Sequence, residues 1–392
     1  VSARTYPLGV GTVAVGTSGY SLTGLLPVIS RELGASASTT GQLVTVFALT
    51  CALAGPLLTV LTRRWERRRL LVVALLVTGL GNALAAVAPN LEVLAGARIV
   101  TALGTSVYTA AAAATAAQIN TPQRRARAVA VVFAGLTVAL LGGIPAIRLL
   151  STPLGYPGVF WSVAALCGLG AVGVAAIVPA VAAPPAASLR ERLTAAGDRQ
   201  VLAVLVTTLL IFMSTFAVYT YAATLLEHTT GGRAGLAGAL LAGYGAGAAV
   251  GNVLGGRAAD RFGPRPCLLA ATAICAVLLF VLPVATRTVG SAAVVLTVWG
   301  CASWSINAPI TAWLVHLAPT QANLLLSLVG SAIYLGMGLG GLVGGAVIAW
   351  VGVGMLGPVA GNLSAAAHAI LLSHAARPPT GTAPPTPAIP PR

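Results

Sequence analysis

Gly255-Gly256-Arg257-Ala258-Ala259-Asp260-Arg261-Phe262-Gly263-Pro264-Arg265 is a short charged segment set between two long apolar runs, near 235 to 256 and 267 to 287. About 20 apolar residues are enough for a helix to cross a bilayer. Two such runs joined so tightly read as a helical hairpin whose bend lies at one membrane surface. The pattern repeats along the chain. Before the break at 182 to 200, runs fall near 8 to 29, 40 to 61, 70 to 88, 92 to 118, 128 to 150 and 157 to 180. After it they fall near 200 to 222, 235 to 256, 267 to 287, 290 to 313, 323 to 350 and 354 to 375. The expectation is an all-α integral membrane protein with twelve transmembrane helices.

Composition excludes the soluble alternatives. The 392 residues are 57% hydrophobic and 7% charged, whereas a soluble domain carries about 25% charged residues. A formal charge of +15 would suggest nucleic acid in a water-soluble chain, but here the basic residues sit in short connections between apolar runs. All 22 of them are Arg, and Ala, Gly and Val abound, which fits a GC-rich genome such as an actinobacterium's. Cys51, Cys167, Cys267, Cys275 and Cys301 lie in or beside apolar runs without paired spacing, so they read as packing residues. His228, His316, His368 and His374 show no metal-ligand spacing either. The first apolar run is too long, and followed by too many others, for a signal peptide.

Arginine placement sets the expected orientation, because basic residues accumulate in short cytoplasmic loops. Fourteen lie in even-numbered connections: Arg63, Arg64, Arg67 to Arg69, Arg124, Arg125, Arg127, Arg190, Arg192, Arg199, Arg257, Arg261 and Arg265. Only Arg31, Arg233 and Arg287 lie in odd-numbered ones. Both termini are therefore expected in the cytoplasm of a bacterial cell, with the protein multi-pass in its inner membrane. Sliding the chain by 198 residues lays Arg63 on Arg261, Arg67 on Arg265 and Leu70-Leu71 on Leu268-Leu269. This internal repeat divides the chain into a six-helix half (1–181), a polar linker (182–199), a second six-helix half (200–376) and a Pro-rich tail (377–392) expected to be disordered.

The charged segment 255–265 resembles the loop signature G-x-x-x-D-R-x-G-x-[RK] of the major facilitator superfamily. Gly16-Thr17-Ser18-Gly19-Tyr20-Ser21-Leu22-Thr23-Gly24-Leu25-Leu26-Pro27, Ala97-Arg98-Ile99-Val100 and Gly142-Gly143-Ile144-Pro145 resemble its drug:proton antiporter branch, in particular chloramphenicol-resistance and arabinose-efflux-like exporters. The resemblance implies two pseudo-symmetric six-helix halves that rock around a central cavity. It also makes Gly256, Asp260, Arg261, Gly263 and Arg265 a conformational latch rather than a substrate site, the alternative being a solvated charged turn. The first-half copy of the loop keeps only its positive charge, with Leu57, Thr62 and Trp65 where Gly255, Asp260 and Gly263 stand in the second.

Arg98 lies inside the fourth apolar run, where a charge is costly unless paired or facing a wet cavity. The resemblance ties it to proton coupling and the cavity; snorkelling or pairing with Glu92 is the bland alternative. Gly142, Gly143 and Pro145 predict a kink in span 5, since Pro removes a backbone donor. Tyr20, Thr23, Tyr108, Phe212, Tyr219, Tyr244, Trp304, Asn307 and Tyr334 are the polar and aromatic residues within spans from which a midplane cavity could be built; each could instead be a packing or interfacial residue. The resemblance also implies an acid in span 1 where this chain has Gly19. All seven acids, Glu32, Glu66, Glu92, Glu191, Asp198, Glu227 and Asp260, lie in loops or near span ends. Proton coupling is therefore expected to be indirect, through Glu32, Glu92, Glu227 or His368.

No nucleophile motif, phosphate loop or catalytic carboxylate pair is present, so no enzymatic activity, metal or cofactor is expected. The expected function is efflux of a small organic compound, a drug such as chloramphenicol or a sugar, by a monomer in the lipid bilayer that uses alternating access and protons. The alternatives are an uncoupled facilitator or importer and, from another class, a membrane-embedded enzyme or receptor. The expected partners are the substrate and protons, and no nucleic acid.

Overall fold

A computed structural model describes residues 2–182, 199–317 and 322–373. The expected linker lies outside these residues except for its two ends, as does the whole of the Pro-rich tail. Regular structure among the described residues is helical throughout, with no strand. Span 1 is Tyr6–Glu32, span 2 Ala37–Leu61, span 3 Arg67–Ala86 and span 4 Leu91–Gln118. Span 7 is Arg199–Tyr219, span 8 Ala234–Phe262, span 9 Pro264–Ala285, span 11 Ala322–Trp350 and span 12 Leu356–Ser373.

Spans 5, 6 and 10 depart from simple helices for identifiable reasons. Span 5 starts as Arg125–Val138, passes through a π turn at Ala139–Gly143 and continues into the helix Ile144–Ile177. The π turn sits directly before Pro145, whose missing N–H cannot continue an α ladder. Within Ile144–Ile177, Gly155 has φ 62° and ψ −176°, a conformation that needs glycine. It is the turn at which span 5 ends and span 6 (156–177) begins. Among the described residues, eleven helices are long and apolar enough to cross a bilayer, and the shorter apolar helix Arg127–Gly143 leads into the remaining crossing.

Span 10 runs as Val289–Trp304 and resumes as Asn307–Leu317. Pro309 lacks the N–H that would bond the Ser305 carbonyl, so the ladder breaks there. The apolar run near 290 to 313 reads as one continuous span although it contains Pro309.

The same span pairs pack in both halves: 1 with 5 and 6, 2 with 4, and 3 with 6 recur as 7 with 11 and 12, 8 with 10, and 9 with 12. Between halves, span 2 meets span 11 and span 5 meets span 8, as a pseudo-two-fold requires. Small residues allow these approaches, since in lipid the gain comes from close packing rather than from expelling water. Gly247, Gly251 and Gly255 form one row on span 8, and a Cβ on any of them would fall on the carbonyl of Thr297, Cys301 or Ser305 in span 10. Gly255 of the charged segment is thus fixed by packing. At the same end of span 8, Gly263 has φ 85° and Pro264 opens span 9.

Candidate functional site

Span 2 locates the cleft between the halves. On the side of the Arg-poor connections it is tight against span 11: Ser38 Oγ donates to the Gly345 carbonyl at 2.8 Å, and Cβ atoms built on Gly341 and Gly338 would meet Thr45 and Leu49 at 2.8 and 2.9 Å. Tyr221, just past span 7, donates to the Gly341 carbonyl at 2.8 Å. Span 8 closes on span 5 at the same level, Gly245 beside Leu140 and Gly238 beside Arg148. One and two turns beyond Leu49, the same face of span 2 carries Leu53 and Leu57, which are 70% and 54% exposed. The halves therefore part toward the Arg-rich connections, and the cleft opens on that side.

Arg98 sits at the closed end, in span 4, and is 0% exposed. Its Nη2 donates to the Ser18 carbonyl at 3.1 Å, and its Cζ lies 4.4 Å from the centroid of the Phe47 ring. Ser21 Oγ donates to the same carbonyl, and Asn82 Nδ2 donates to Ser18 Oγ at 2.7 Å. An arginine at the bilayer centre costs roughly 2.5–3.5 kcal/mol on insertion scales. A desolvated cation–π contact returns about 2 kcal/mol and a charge-assisted hydrogen bond roughly 1.5–3 kcal/mol, so these contacts can hold it in place. They do not satisfy it: Nε and Nη1 have no partner among the described residues. Glu92 forms no ion pair with it, and Arg98 does not reach the membrane surface.

An aromatic cluster crosses from one half to the other. Tyr20 of span 1 meets Trp304 of span 10 edge-on at 6.5 Å, and Trp304 Nε1 donates to the Tyr244 hydroxyl at 3.1 Å. Tyr244 lies 4.6 Å from Tyr219 and 4.8 Å from Trp299, ring centre to ring centre. Phe216 meets Tyr219 edge-on, with Phe212 stacked behind it. Tyr20, Trp304 and Tyr334 are half-buried, whereas Tyr219, Tyr244 and Trp299 are buried. The structure thus brings Tyr20, Tyr219, Tyr244 and Trp304 together.

Other candidates lie elsewhere. Tyr108 packs inside the first half, its hydroxyl donating to the Leu8 carbonyl at 3.1 Å, and Thr23 is buried in span 1. Asn307 caps the break in span 10, donating to Asn252 Oδ1 at 3.1 Å and to the Trp304 carbonyl at 3.3 Å. Trp299, Phe47, Ser18 and Asn82 were not singled out from the sequence. Of these, Asn82 carried a signal, being an amide within an apolar run.

The charged segment lies at the open end. Asp260 and Arg261 are exposed, and Arg261 Cζ sits 5.2 Å over the Phe262 ring. Asp260 has no ion pair among the described residues, and Arg265 Nε is buried without a partner. On the opposite face, Glu32 and Glu92 line one cavity of about 480 Å³, while His368 Nδ1 is 2.9 Å from Thr272 Oγ1 between spans 12 and 9. Among the described residues no group of His, Cys, Asp and Glu could hold a metal ion.

Comparison with known proteins meets this geometry from the other direction. A family model described as Major Facilitator Superfamily matches residues 8–231 and 204–391. The chain is similar to the inner membrane transport protein YdhP of Escherichia coli, 32% identical over 376 residues that cover 95% of this chain and 96% of that one. It is also similar to a chloramphenicol resistance protein of Streptomyces lividans, 36% identical over 68% of this chain and 69% of that protein. A chloramphenicol efflux pump of Mycobacterium tuberculosis is 27% identical over 82% of this chain and 80% of its own length.

Proposed function

The chain belongs to the Major Facilitator Superfamily, and from that premise we propose that it exports a small organic compound, such as a drug, across the bacterial inner membrane by alternating access. It is a multi-pass membrane transporter and not an enzyme. The observation that carries the export reading is the cleft: closed by spans 2, 5, 8 and 11 on the Arg-poor side, it opens at the Arg-rich ends. If those ends are cytoplasmic, as the arginine bias implies, this is the state in which a solute is loaded from inside. Asp260, exposed and without an ion pair among the described residues, fits a latch that engages when the cytoplasmic ends close, because even an ion pair worth roughly 0–1 kcal/mol can bias two states separated by a few kcal/mol.

A drug-susceptibility panel in an efflux-deficient host, paired with uptake into inverted vesicles, tests the proposal. Lowered susceptibility to at least one compound and its accumulation in the vesicles are expected. Solute entry in the opposite direction alone would make the protein an importer. An uncoupled facilitator is the second reading, favoured by the absence of any Asp or Glu from the middle of the spans.

A further inference from the structure

Spans 1 and 6 leave an apolar groove on the outside of the first half, at its Arg-rich end. The groove has a volume of about 310 Å³, with Tyr6, Pro7 and Val10 of span 1 on one side and Leu169, Gly173 and Ile177 of span 6 on the other. Its walls are exposed, Tyr6 at 58% and Leu169 at 69%. A Cβ on Gly173 would stand 3.7 Å from that of Pro7, and one on Gly170 would stand 3.4 Å from the Gly11 Cα and from Leu75 Cδ1 of span 3. The helices thus approach closely at these glycines, and the missing side chains leave a slot that faces the bilayer. The hydrocarbon core holds no water to fill it. An acyl chain is what the surroundings supply.

Positive charge gathers at one end of this slot. Ala3 lines it there and is followed by the exposed Arg4. Past Ile177 the chain runs on to Val181, whose carbonyl accepts the Arg67 backbone N–H at 2.9 Å. Arg67 opens span 3, and its Nε is buried without a partner among the described residues. Neither Arg4 nor Arg67 has an ion pair among those residues, and the neighbouring acid, Glu66, lies 3.6 Å from Arg68 Nε. Glu66 gives the first turn of span 3 no side-chain cap, so the positive end of that helix dipole stays available to an anion. Tyr6, at the same level, has a phenol that can donate to a phosphate or ester oxygen. An apolar slot with cations at its mouth fits an amphiphile with a negative head, as basic pockets between helices at a membrane surface do.

We propose that this groove binds one anionic phospholipid, with an acyl chain between spans 1 and 6 and its phosphate received by Arg4 and Arg67. Both spans belong to one half, so the lipid keeps its place while the halves rock, and it stabilises that half whichever way solute moves.

The test titrates the full chain in detergent with phosphatidylglycerol or with phosphatidylcholine of the same acyl chains, and reads bound lipid by native mass spectrometry and the melting temperature in parallel. Phosphatidylglycerol is expected to persist as a single adduct and to raise the melting temperature, since a ligand that binds only the folded state stabilises it; phosphatidylcholine should do neither to the same degree. Arg4→Gln and Arg67→Gln should each weaken phosphatidylglycerol binding roughly fivefold, the equivalent of about 1 kcal/mol per basic residue at a membrane surface. Arg4 is exposed, so its variant tests the charge without endangering the fold. Gly173→Leu should fill the slot and weaken both lipids, whereas Arg233→Gln, in an Arg-poor connection, should change nothing. Equal retention of the two lipids, wild-type binding in both arginine variants, or wild-type binding in Gly173→Leu would each overturn the proposal. Equal stabilisation by inorganic phosphate alone would also overturn it, by reducing the site to an anion contact without the groove, as would a dimer lost in Gly173→Leu, which would put a second copy of the chain there. None of these outcomes touches the export reading, which the susceptibility panel and the vesicles decide separately.

Discussion

At the scale of single residues, Arg98 is the most costly feature of the first half. Its guanidinium is held by the Ser18 carbonyl and the Phe47 ring, with Nε and Nη1 left without a partner among the described residues. Replacing a buried charge by an apolar side chain of similar length is often neutral or stabilising, so its retention points to use rather than to stability. Arg98→Met is expected to melt at or above the wild-type temperature while transport falls at least about tenfold, a change equivalent to about 1.4 kcal/mol. Arg98→Lys should rescue little, because an ammonium cannot supply a planar fork of donors. Normal transport by the Met variant at normal expression would reduce Arg98 to a packing element. That this position matters was legible from the sequence, because a charge inside an apolar run has few innocent explanations. Its partners were not: a backbone carbonyl and a phenylalanine ring leave no trace in a pattern of polar residues.

At the scale of helices, span 11 is where closure and separation of the halves meet. Gly336, Gly340 and Gly344 press against span 7, and Gly338, Gly341 and Gly345 against span 2. Gly341→Leu would push a side chain into Thr45 and disturb the Tyr221 hydrogen bond. Overpacking costs roughly 1–3 kcal/mol, enough to shift the balance between states about 5- to 150-fold. Disulfide formation between Ser38→Cys and Gly345→Cys measures closure directly, and should drop sharply when Gly341→Leu is added. Unchanged cross-linking would mean that the two helices do not close the cleft there. The span positions were legible because hydropathy contrast is strong, and Pro145 announced irregularity in span 5. The break in span 10 was missed, although Pro309, like Pro145, lies inside an apolar run and removes the N–H that the Ser305 carbonyl would accept. Nor could hydropathy separate Tyr108, spent on the Leu8 carbonyl, from Tyr219, because both lie within membrane-spanning helices.

At the scale of the whole molecule, sidedness and energy coupling have to agree with one geometry. The cleft opens toward the Arg-rich connections, so an externally added thiol reagent should fail to label Phe262→Cys in intact cells. Strong labelling would invert the assignment and turn the open cleft outward. Coupling is harder for this chain to achieve, because position 19 is glycine and the five acids among the described residues lie near span ends or in connections. Glu32 and Glu92 share a cavity, Glu227 lies past span 7 on the same side, and His368 bridges spans 12 and 9 through Thr272. A pH gradient imposed on proteoliposomes should drive uphill transport by the wild type and fail in at least one of Glu32→Gln, Glu92→Gln, Glu227→Gln and His368→Gln. Equal uphill transport in all four would end the indirect-coupling account, and no uphill transport by the wild type would make the protein a facilitator. Gly19→Glu probes the same question from within the cleft. A Cβ at position 19 would lie 3.6 Å from the Phe47 ring, and the Arg98 guanidinium is 4.4 Å from that ring's centroid. The new carboxylate would therefore start beside the ring against which the guanidinium packs. Contact with Arg98 favours its charged form and burial favours its neutral form, so it exchanges a proton only if alternation parts the two groups. Increased gradient-driven transport by Gly19→Glu would show that they part; an inert variant, folded and pairing with Arg98 in both states, would show that Arg98 stays with span 1 throughout the cycle.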